Sequence, residues 1–212
     1  MRKYVLNKIG VISVFTALSL FLVEDCRAEI YDYERMSSAI VNMLNAATDF
    51  IADNFEVINT HNAHVGMPTP RGELESYKGI NPEGFATMVG KIFTKQTGIT
   101  IKFTSFGKDK SGPRNPANKP DKWEKKQLKK FVKIRYPKGV GYGEVEQVGD
   151  KELYKMVYRY IYPQYVEARC LKCHGNPRRS PTGDGKDATG FPMENYKEGE
   201  LIGAISLTFP IK

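Results

Sequence analysis

The ten-residue stretch LYKMVYRYIY, at positions 153–162, has a clear alternating pattern. Its side chains alternate, as they must in a strand whose successive residues point to opposite faces. One face of this stretch carries Leu153, Lys155, Val157, Arg159 and Ile161, and the other carries Tyr154, Met156, Tyr158, Tyr160 and Tyr162. The pattern therefore predicts a β-strand, and the rest of the chain can be organised around it.

Helical patterns precede this strand. Residues 33–60 carry an apolar stripe at steps of three and four residues, which predicts an amphipathic helix. The stripe consists of Ile40, Leu44, Ala47, Ile51, Phe55 and Ile58. A second helix is predicted to begin near Pro82 and to end at Gly98. A third is predicted after Asp121, because Glu124 stands three residues later at the spacing of a capping box.

A further strand is predicted at 99–103, where apolar and polar residues alternate and β-branched residues are frequent. A short strand is predicted at 143–148, before a turn at Gly149-Asp150, and a last apolar strand at 201–209. Glycine, proline and asparagine dominate 107–120, which predicts a loop. Helices come first and antiparallel strands follow, so the fold class is predicted to be α+β.

The sequence Cys170-Leu171-Lys172-Cys173-His174 lies between the last two predicted strands. Two cysteines separated by two residues and followed at once by histidine form the attachment motif of c-type haem. Each thiol can form a thioether with one vinyl group, and the adjacent histidine can bind the iron. We therefore predict one covalent haem c held by Cys170, Cys173 and His174, with His174 as the proximal iron ligand.

Two alternatives use the same residues. A zinc site could take the cysteines and His174, but structural zinc sites generally draw on a second ligand pair, for which only His61 and His64 are available. A thioredoxin-like redox pair would leave His174 without a role and lacks a βαβ context.

Three separated segments resemble one bacterial family. Residues 114–124, RNPANKPDKWE, are similar to its R-N-P-x-N-x-P-D-x-W-E signature. Residues 158–175 resemble its haem-binding strand and loop, and 199–207, GELIGAISL, resemble its closing strand. The family is that of the PAS-like c-haem sensor domains, which occur as separate periplasmic proteins and as input domains of chemoreceptors and histidine kinases. The resemblance implies N-terminal helices flanking an antiparallel sheet of about five strands, with haem c in the cleft.

Some members of that family supply the sixth iron ligand from a cysteine in the N-terminal helical region, and no cysteine occupies that region once the leader is removed. The candidates are His61, His64, Met67 and Lys78. Projecting the α-helical repeat from Ile51 places His61 at the edge of the apolar stripe and His64 on its polar side. His61 is accordingly the predicted distal ligand.

Arg114 is a candidate partner for a haem propionate, because a guanidinium group can pair with a carboxylate through two hydrogen bonds. The alternative is a plain surface turn with an exposed arginine. Residues 183–187 lack the alternating carboxylates of a calcium loop, so they are interpreted as a simple turn.

The chain begins with basic residues and an apolar stretch at 9–23, which together predict a secretory signal peptide over 1–28 and one mature domain over 29–212. An uncleaved membrane anchor is the alternative. Removing 1–28 takes away four basic and two acidic residues, so 28 basic and 22 acidic residues remain, a net charge of +6. Export argues against a nucleic-acid partner and favours an acidic redox or signalling protein, or an anionic membrane surface. The alternative is a basic surface that is simply solvated and has no partner.

These features predict a periplasmic single-haem protein that responds to redox state or to a small gaseous ligand. The alternative is an electron carrier to another periplasmic redox protein. An enzyme such as a peroxidase is disfavoured, because the sequence shows no acid/base pair near the haem motif.

Overall fold

The computed structural model describes the backbone of residues 9–61, 80–134, 141–150 and 153–211, and the side chains of 30–59, 80–134, 141–149 and 155–211. In this part of the chain five α-helices occur: α1 (Ile9–Asp53), α2 (Phe55–His61), α3 (Pro82–Thr97), α4 (Lys122–Ile134) and α5 (Leu171–His174). The described strands are β1 (Thr100–Thr104), β2 (Tyr142–Asp150), β3 (Leu153–Tyr165) and β4 (Leu201–Pro210).

The predicted first helix is the later part of a longer element. Helix α1 spans Ile9–Asp53, and residues 11–53 contain neither glycine nor proline to interrupt it. It ends at Asp53, and α2 begins at Phe55. At the junction the Asn54 side-chain amide donates to the Phe50 carbonyl, a local bond that competes with the regular helix ladder. Among the described residues, no helix has both the length and the apolar character needed to cross a bilayer.

The predicted ends of the second helix are confirmed by its caps. The Asn81 side chain accepts a hydrogen bond from the Gly84 amide at 2.8 Å, and Pro82 occupies the first turn. Gly98 has φ 76°, the left-handed conformation with which helices commonly end. Helix α4 begins with the predicted capping box, since Glu124 N donates to Asp121 Oδ1 and Asp121 N donates to Glu124 Oε2.

The four described strands form one antiparallel sheet in the order β1-β4-β3-β2. Strands β2 and β3 are adjacent in sequence, and β4 inserts between β3 and β1. The connection from β3 to β4 is long, and it carries the two cysteines and His174. The end of β3 therefore determines where this segment leaves the sheet.

Both faces of β3 are buried. On one face Tyr158 and Tyr160 pack with residues of α1, α3 and β4. On the other face Ile161 packs with Trp123, Leu128 and Phe131 of α4. The sheet is consequently the middle layer between α1 and α3 on one side and α4 on the other.

Arg159 shows how the sheet accommodates a charge on a buried strand. Its guanidinium lies 4.3 Å from the centre of the Trp123 ring. It pairs with Asp121 at 2.7 Å and with Glu146 at 3.1 Å. The alternation is thus confirmed over 155–162, and Arg159, on the face that packs against α4, is neutralised by carboxylates on α4's N-terminal cap and on β2.

The expected count of about five strands is wrong, since the described residues form four. The fifth strand was implied by the resemblance, and no additional alternating segment supports it. The stretches between β1 and α4 and between β3 and β4 are rich in glycine and proline, and they contain four 3-10 turns instead.

Candidate cofactor site

The segment with the cysteine motif is a loop closed at its base. Val166 N donates to the Glu200 carbonyl and Gly199 N donates to the Val166 carbonyl, both at 2.8 Å. These two bonds join the end of β3 to the start of β4. The loop between them begins with a 3-10 turn (Ala168–Cys170) that continues directly into α5.

Cys170 and Cys173 are three residues apart on this helical turn, so their side chains lie on one side of it. Both are half-buried free thiols. Burial raises the pKa of Cys170, and burial together with the charge of Asp187 raises the pKa of Cys173 to about 11. Redox-active cysteines have lowered pKa values, so the environment disfavours the thioredoxin-like alternative.

Gly175 ends α5 directly after the histidine. A Cβ atom at this position would lie 2.4 Å from the Leu171 carbonyl oxygen. Only glycine therefore lets the chain turn away here while its amide still bonds that carbonyl at 3.0 Å.

His174 makes one side-chain hydrogen bond among the described residues. Its Nδ1 lies 3.0 Å from Glu194 Oε2. The Tyr196 ring stands edge-on to the imidazole at a centroid distance of 6.2 Å. Because Nδ1 is engaged by a carboxylate, Nε2 is the nitrogen available to a metal.

Backbone pairing brings Glu194 to the histidine. Tyr196 N donates to the His174 carbonyl at 2.8 Å, and Asn195 N donates to the Gly175 carbonyl at 2.9 Å. Residues 194–196 therefore lie alongside the end of α5, although they follow it by about twenty positions in the sequence.

Arg114 connects the acidic residues of the loop. Its Nε and Nη2 both donate to the Glu194 carboxylate, and its Nη1 donates to Asp187 Oδ2 at 2.6 Å. Nη2 also donates to the carbonyl oxygens of Cys173 and Pro192, each at 2.9 Å. The contact of Arg114 with a haem propionate stays a prediction. In the structure, Arg114 cross-links the loop between β3 and β4 through these hydrogen bonds.

Asp187 is the buried end of this network, with a side chain only 1% exposed. Its Oδ1 accepts hydrogen bonds from the amide and hydroxyl of Thr189 and from the amide of Phe191. Burial alone would raise the pKa of Asp187, but Thr189 and Arg114 hold it below its usual value. The interpretation of residues 183–187 as a simple turn misses this role.

Glu194 is ionised for the same kind of reason. Burial alone would raise its pKa, but the hydrogen bonds from His174 and Arg114 and the charge of Arg114 keep that pKa below its usual value. The carboxylates of Glu194 and Asp187 together hold the pKa of Arg114 above its ordinary value, against the opposing effect of burial.

A cavity lies beside His174, between the sheet and the helices. Its volume is about 240 Å³, and it is partly open to solvent. Its lining is mainly apolar and includes Ala86, Phe103 and Ala204, with polar side chains from α1 and β3. Gly203 also lines it, where a Cβ atom would lie 2.6 Å from the Thr104 carbonyl oxygen.

These residues fit a haem group. The cavity offers an apolar wall for a porphyrin face, and His174 lines it with an Nε2 that no hydrogen bond engages within the described residues. The cysteine turn leads directly into that histidine. In the described part of the chain, no three side chains of histidine, cysteine, aspartate and glutamate converge to hold a metal ion, so the zinc alternative finds no ligand set there.

The predicted distal ligand is not located by the structure. His61 is the last residue of α2, and its side chain lies outside the described residues, as do His64, Met67 and Lys78 entirely. Helices α1 and α2 are separated by the single residue Asn54. Asn54 N donates to the Phe50 carbonyl at 3.1 Å and Ile58 N donates to the Asn54 carbonyl at 2.9 Å, so helical hydrogen bonds continue across this junction. The assignment of His61 stays a prediction.

Sequence reasoning missed Glu194 and Asp187 as site residues, and it missed the polar residues of the cavity wall. The latter are Asn45 and Thr48 of α1 and Gln164 of β3. The Gln164 side-chain amide donates to Asn45 Oδ1 at 3.1 Å, which joins the two walls. None of these residues belongs to a local motif, and only the tertiary fold brings them together.

Comparison with known proteins gives a family and a fold. Residues 27–210 match the model of the Tll0287-like family. No curated protein matches the chain. Among solved structures, the cyanobacterial haem protein Tll0287 is similar with a TM-score of 0.50 at 16% sequence identity, and the match covers 82% of this chain and 94% of that one.

The structural similarity, at this low identity, concerns the fold. The family match extends over nearly all of the chain and includes every strand, the cysteine turn and the Glu194 segment. The chain therefore belongs to the Tll0287-like family.

Proposed function

We propose that the chain carries one haem c, attached through Cys170 and Cys173 and bound at the iron by His174, in a PAS-like domain. The observation that carries this proposal is the position of His174, which directly follows the cysteine turn and lines a mainly apolar cavity, with no hydrogen bond to its Nε2 in the described part of the chain. The similar solved structure is that of a haem protein, which supports the same cofactor here. A bound haem would supply reversible one-electron chemistry and a binding position for a small gas.

The function we propose for this site is that of a sensor that responds to redox state or to a gaseous ligand. Asn45 and Thr48 of α1 line the same cavity as His174, and Gln164 bonds Asn45. Hydrogen-bond donors in a haem pocket influence gas binding at the iron. A signal at the haem would reach α1 through these contacts.

A second candidate is an electron carrier, and the surface of α4 favours it. Five lysines are exposed along this helix: Lys122, Lys125, Lys126, Lys129 and Lys133. Such a basic surface accelerates encounter with an acidic redox partner. Electron exchange with an acidic cytochrome that slows steeply as salt is raised would favour this candidate over sensing.

We also propose that the domain acts outside the cytoplasm, in the periplasm, after removal of residues 1–28. The family match begins at residue 27, beside the predicted cleavage site. Intact-mass analysis of the exported protein should show Glu29 as the first residue. A chain that retains residues 1–28 would contradict cleavage and support a membrane anchor.

The haem proposal is tested by expressing the full chain together with a c-type haem maturation system. The purified protein should keep its haem in a denaturing gel and should give the pyridine haemochrome spectrum of a haem with two thioether bonds. Cys170→Ala combined with Cys173→Ala should abolish the haem that survives denaturation. Haem that dissociates from the unchanged chain on denaturation would refute covalent attachment.

A further inference from the structure

The hydrogen bond from His174 to Glu194 is the most specific feature of the site that haem attachment alone does not require. The two side chains are both largely buried, at 24% and 20% exposure, and Nδ1 lies 3.0 Å from Oε2. If Nε2 binds iron, the proton of the neutral imidazole must be on Nδ1, so Nδ1 is the donor and Glu194 the acceptor.

Glu194 cannot easily turn away from this bond. Arg114 donates two hydrogen bonds to its carboxylate, and Arg114 is itself fixed by Asp187 and by the Cys173 and Pro192 carbonyls. The backbone bond from Tyr196 N to the His174 carbonyl fixes the distance between the two segments. The chain of contacts from Asp187 through Arg114 and Glu194 to His174 is therefore continuous.

The chemical consequence follows from the charge of the acceptor. A carboxylate accepts a stronger hydrogen bond from imidazole than a neutral carbonyl does, and it makes the imidazole a more basic ligand. A more basic ligand stabilises ferric iron relative to ferrous iron, since the ferric ion carries the greater positive charge.

We propose that Glu194, held by Arg114 and Asp187, is a positioning residue for His174 that fixes the orientation of the imidazole and lowers the midpoint potential of the bound haem. This inference rests on the proposed function, because it needs His174 to bind the haem iron. It predicts that the protein is held mainly in the ferric state until a strong reductant is present.

The test compares the midpoint potentials of the purified haem protein and its variants by spectroelectrochemistry. Glu194→Gln keeps the shape and an acceptor oxygen but removes the charge. Glu198→Gln is the matched control. It removes the same charge from an exposed residue of the same loop. We expect Glu194→Gln to weaken the ferric preference at least about tenfold, a positive shift of about 59 mV for one electron.

The control should leave the potential near that of the unchanged protein. Glu194→Asp retains the charge on a side chain one methylene shorter, so its midpoint potential should lie between those of the unchanged protein and of Glu194→Gln. If Glu194→Gln yields too little folded protein, a potential for Glu194→Asp equal to that of the unchanged protein would also overturn the inference. Equal potentials for Glu194→Gln and Glu198→Gln would overturn the inference, as would an equal shift in Glu194→Asp. Absence of covalent haem from the unchanged chain would instead refute the proposed function.

Discussion

Replacement of Arg114 by methionine is the most informative perturbation of stability at this site. Methionine retains an unbranched apolar side chain that can still pack near Phe191, whose ring lies 5.6 Å from the guanidinium. What is lost is the positive charge between Asp187 and Glu194, together with every hydrogen bond that the guanidinium donates.

The expected magnitude follows from burial. Exposed ion pairs contribute at most about 1 kcal/mol, whereas removing one partner of a buried pair costs about 3–5 kcal/mol. Arg114 is 17% exposed and Asp187 only 1%, so the lower end of the buried range applies, about 3 kcal/mol. At about 2–4 °C per kcal/mol for a domain of this size, the melting temperature should fall by about 6–12 °C.

Thermal unfolding of the purified protein, followed by circular dichroism, measures this change. Arg179→Met is the matched control, because Arg179 is exposed on the 3-10 turn Pro177–Arg179 of the same loop as Asp187, and its loss should change stability by no more than about 0.5 kcal/mol. Adding Asp187→Asn to Arg114→Met should recover part of the loss, since it removes the buried charge left unpaired. The reasoning is refuted if Arg114→Met melts at the same temperature as Arg179→Met.

Three further predictions concern acid stability, the α4 core and the distal ligand. Asp121 and Asp187 have lowered pKa values in the folded protein, so the stability they contribute is present above about pH 4 and is lost as pH falls through those lowered values. Urea unfolding between about pH 5 and 2 should show this loss, and Asp187→Asn should flatten the curve. Phe131→Ala should cost about 3–5 kcal/mol, because its side chain is fully buried against the sheet, whereas Val132→Ala, at a position 65% exposed, should change the unfolding free energy by no more than about 0.5 kcal/mol. His61→Ala should convert the ferric haem spectrum from low-spin to high-spin, and an unchanged spectrum would remove His61 from the iron.

Much of the fold could be predicted from the sequence because its signals are local. The alternation at 153–162 predicts a strand whose faces both carry large side chains, and the structure buries both. Asn81, Gly98 and the Asp121–Glu124 pair are capping signals that act within one turn. Capping signals of this kind involve only residues within one turn, so they can be identified without knowing the tertiary fold.

The full length of α1 and the contacts around His174 were not predicted, for different reasons. The apolar stripe that predicts the first helix begins at residue 33, whereas α1 extends from Ile9 to Asp53. The leader of residues 1–28 stays a prediction. Glu194 reaches His174 only because residues 194–196 return alongside α5, and Arg114 joins them from a loop about eighty positions earlier. No periodicity or spacing encodes contacts of that kind.

Covalent attachment of haem requires thioether bonds at Cys170 and Cys173. Mass spectrometry of the denatured protein, before and after proteolysis, detects these bonds. We expect a chain heavier by one haem, with the added mass confined to the peptide that contains residues 170–174. An unmodified peptide from protein matured with the haem-attachment system, or one that carries the two cysteines as a disulfide, would contradict covalent attachment.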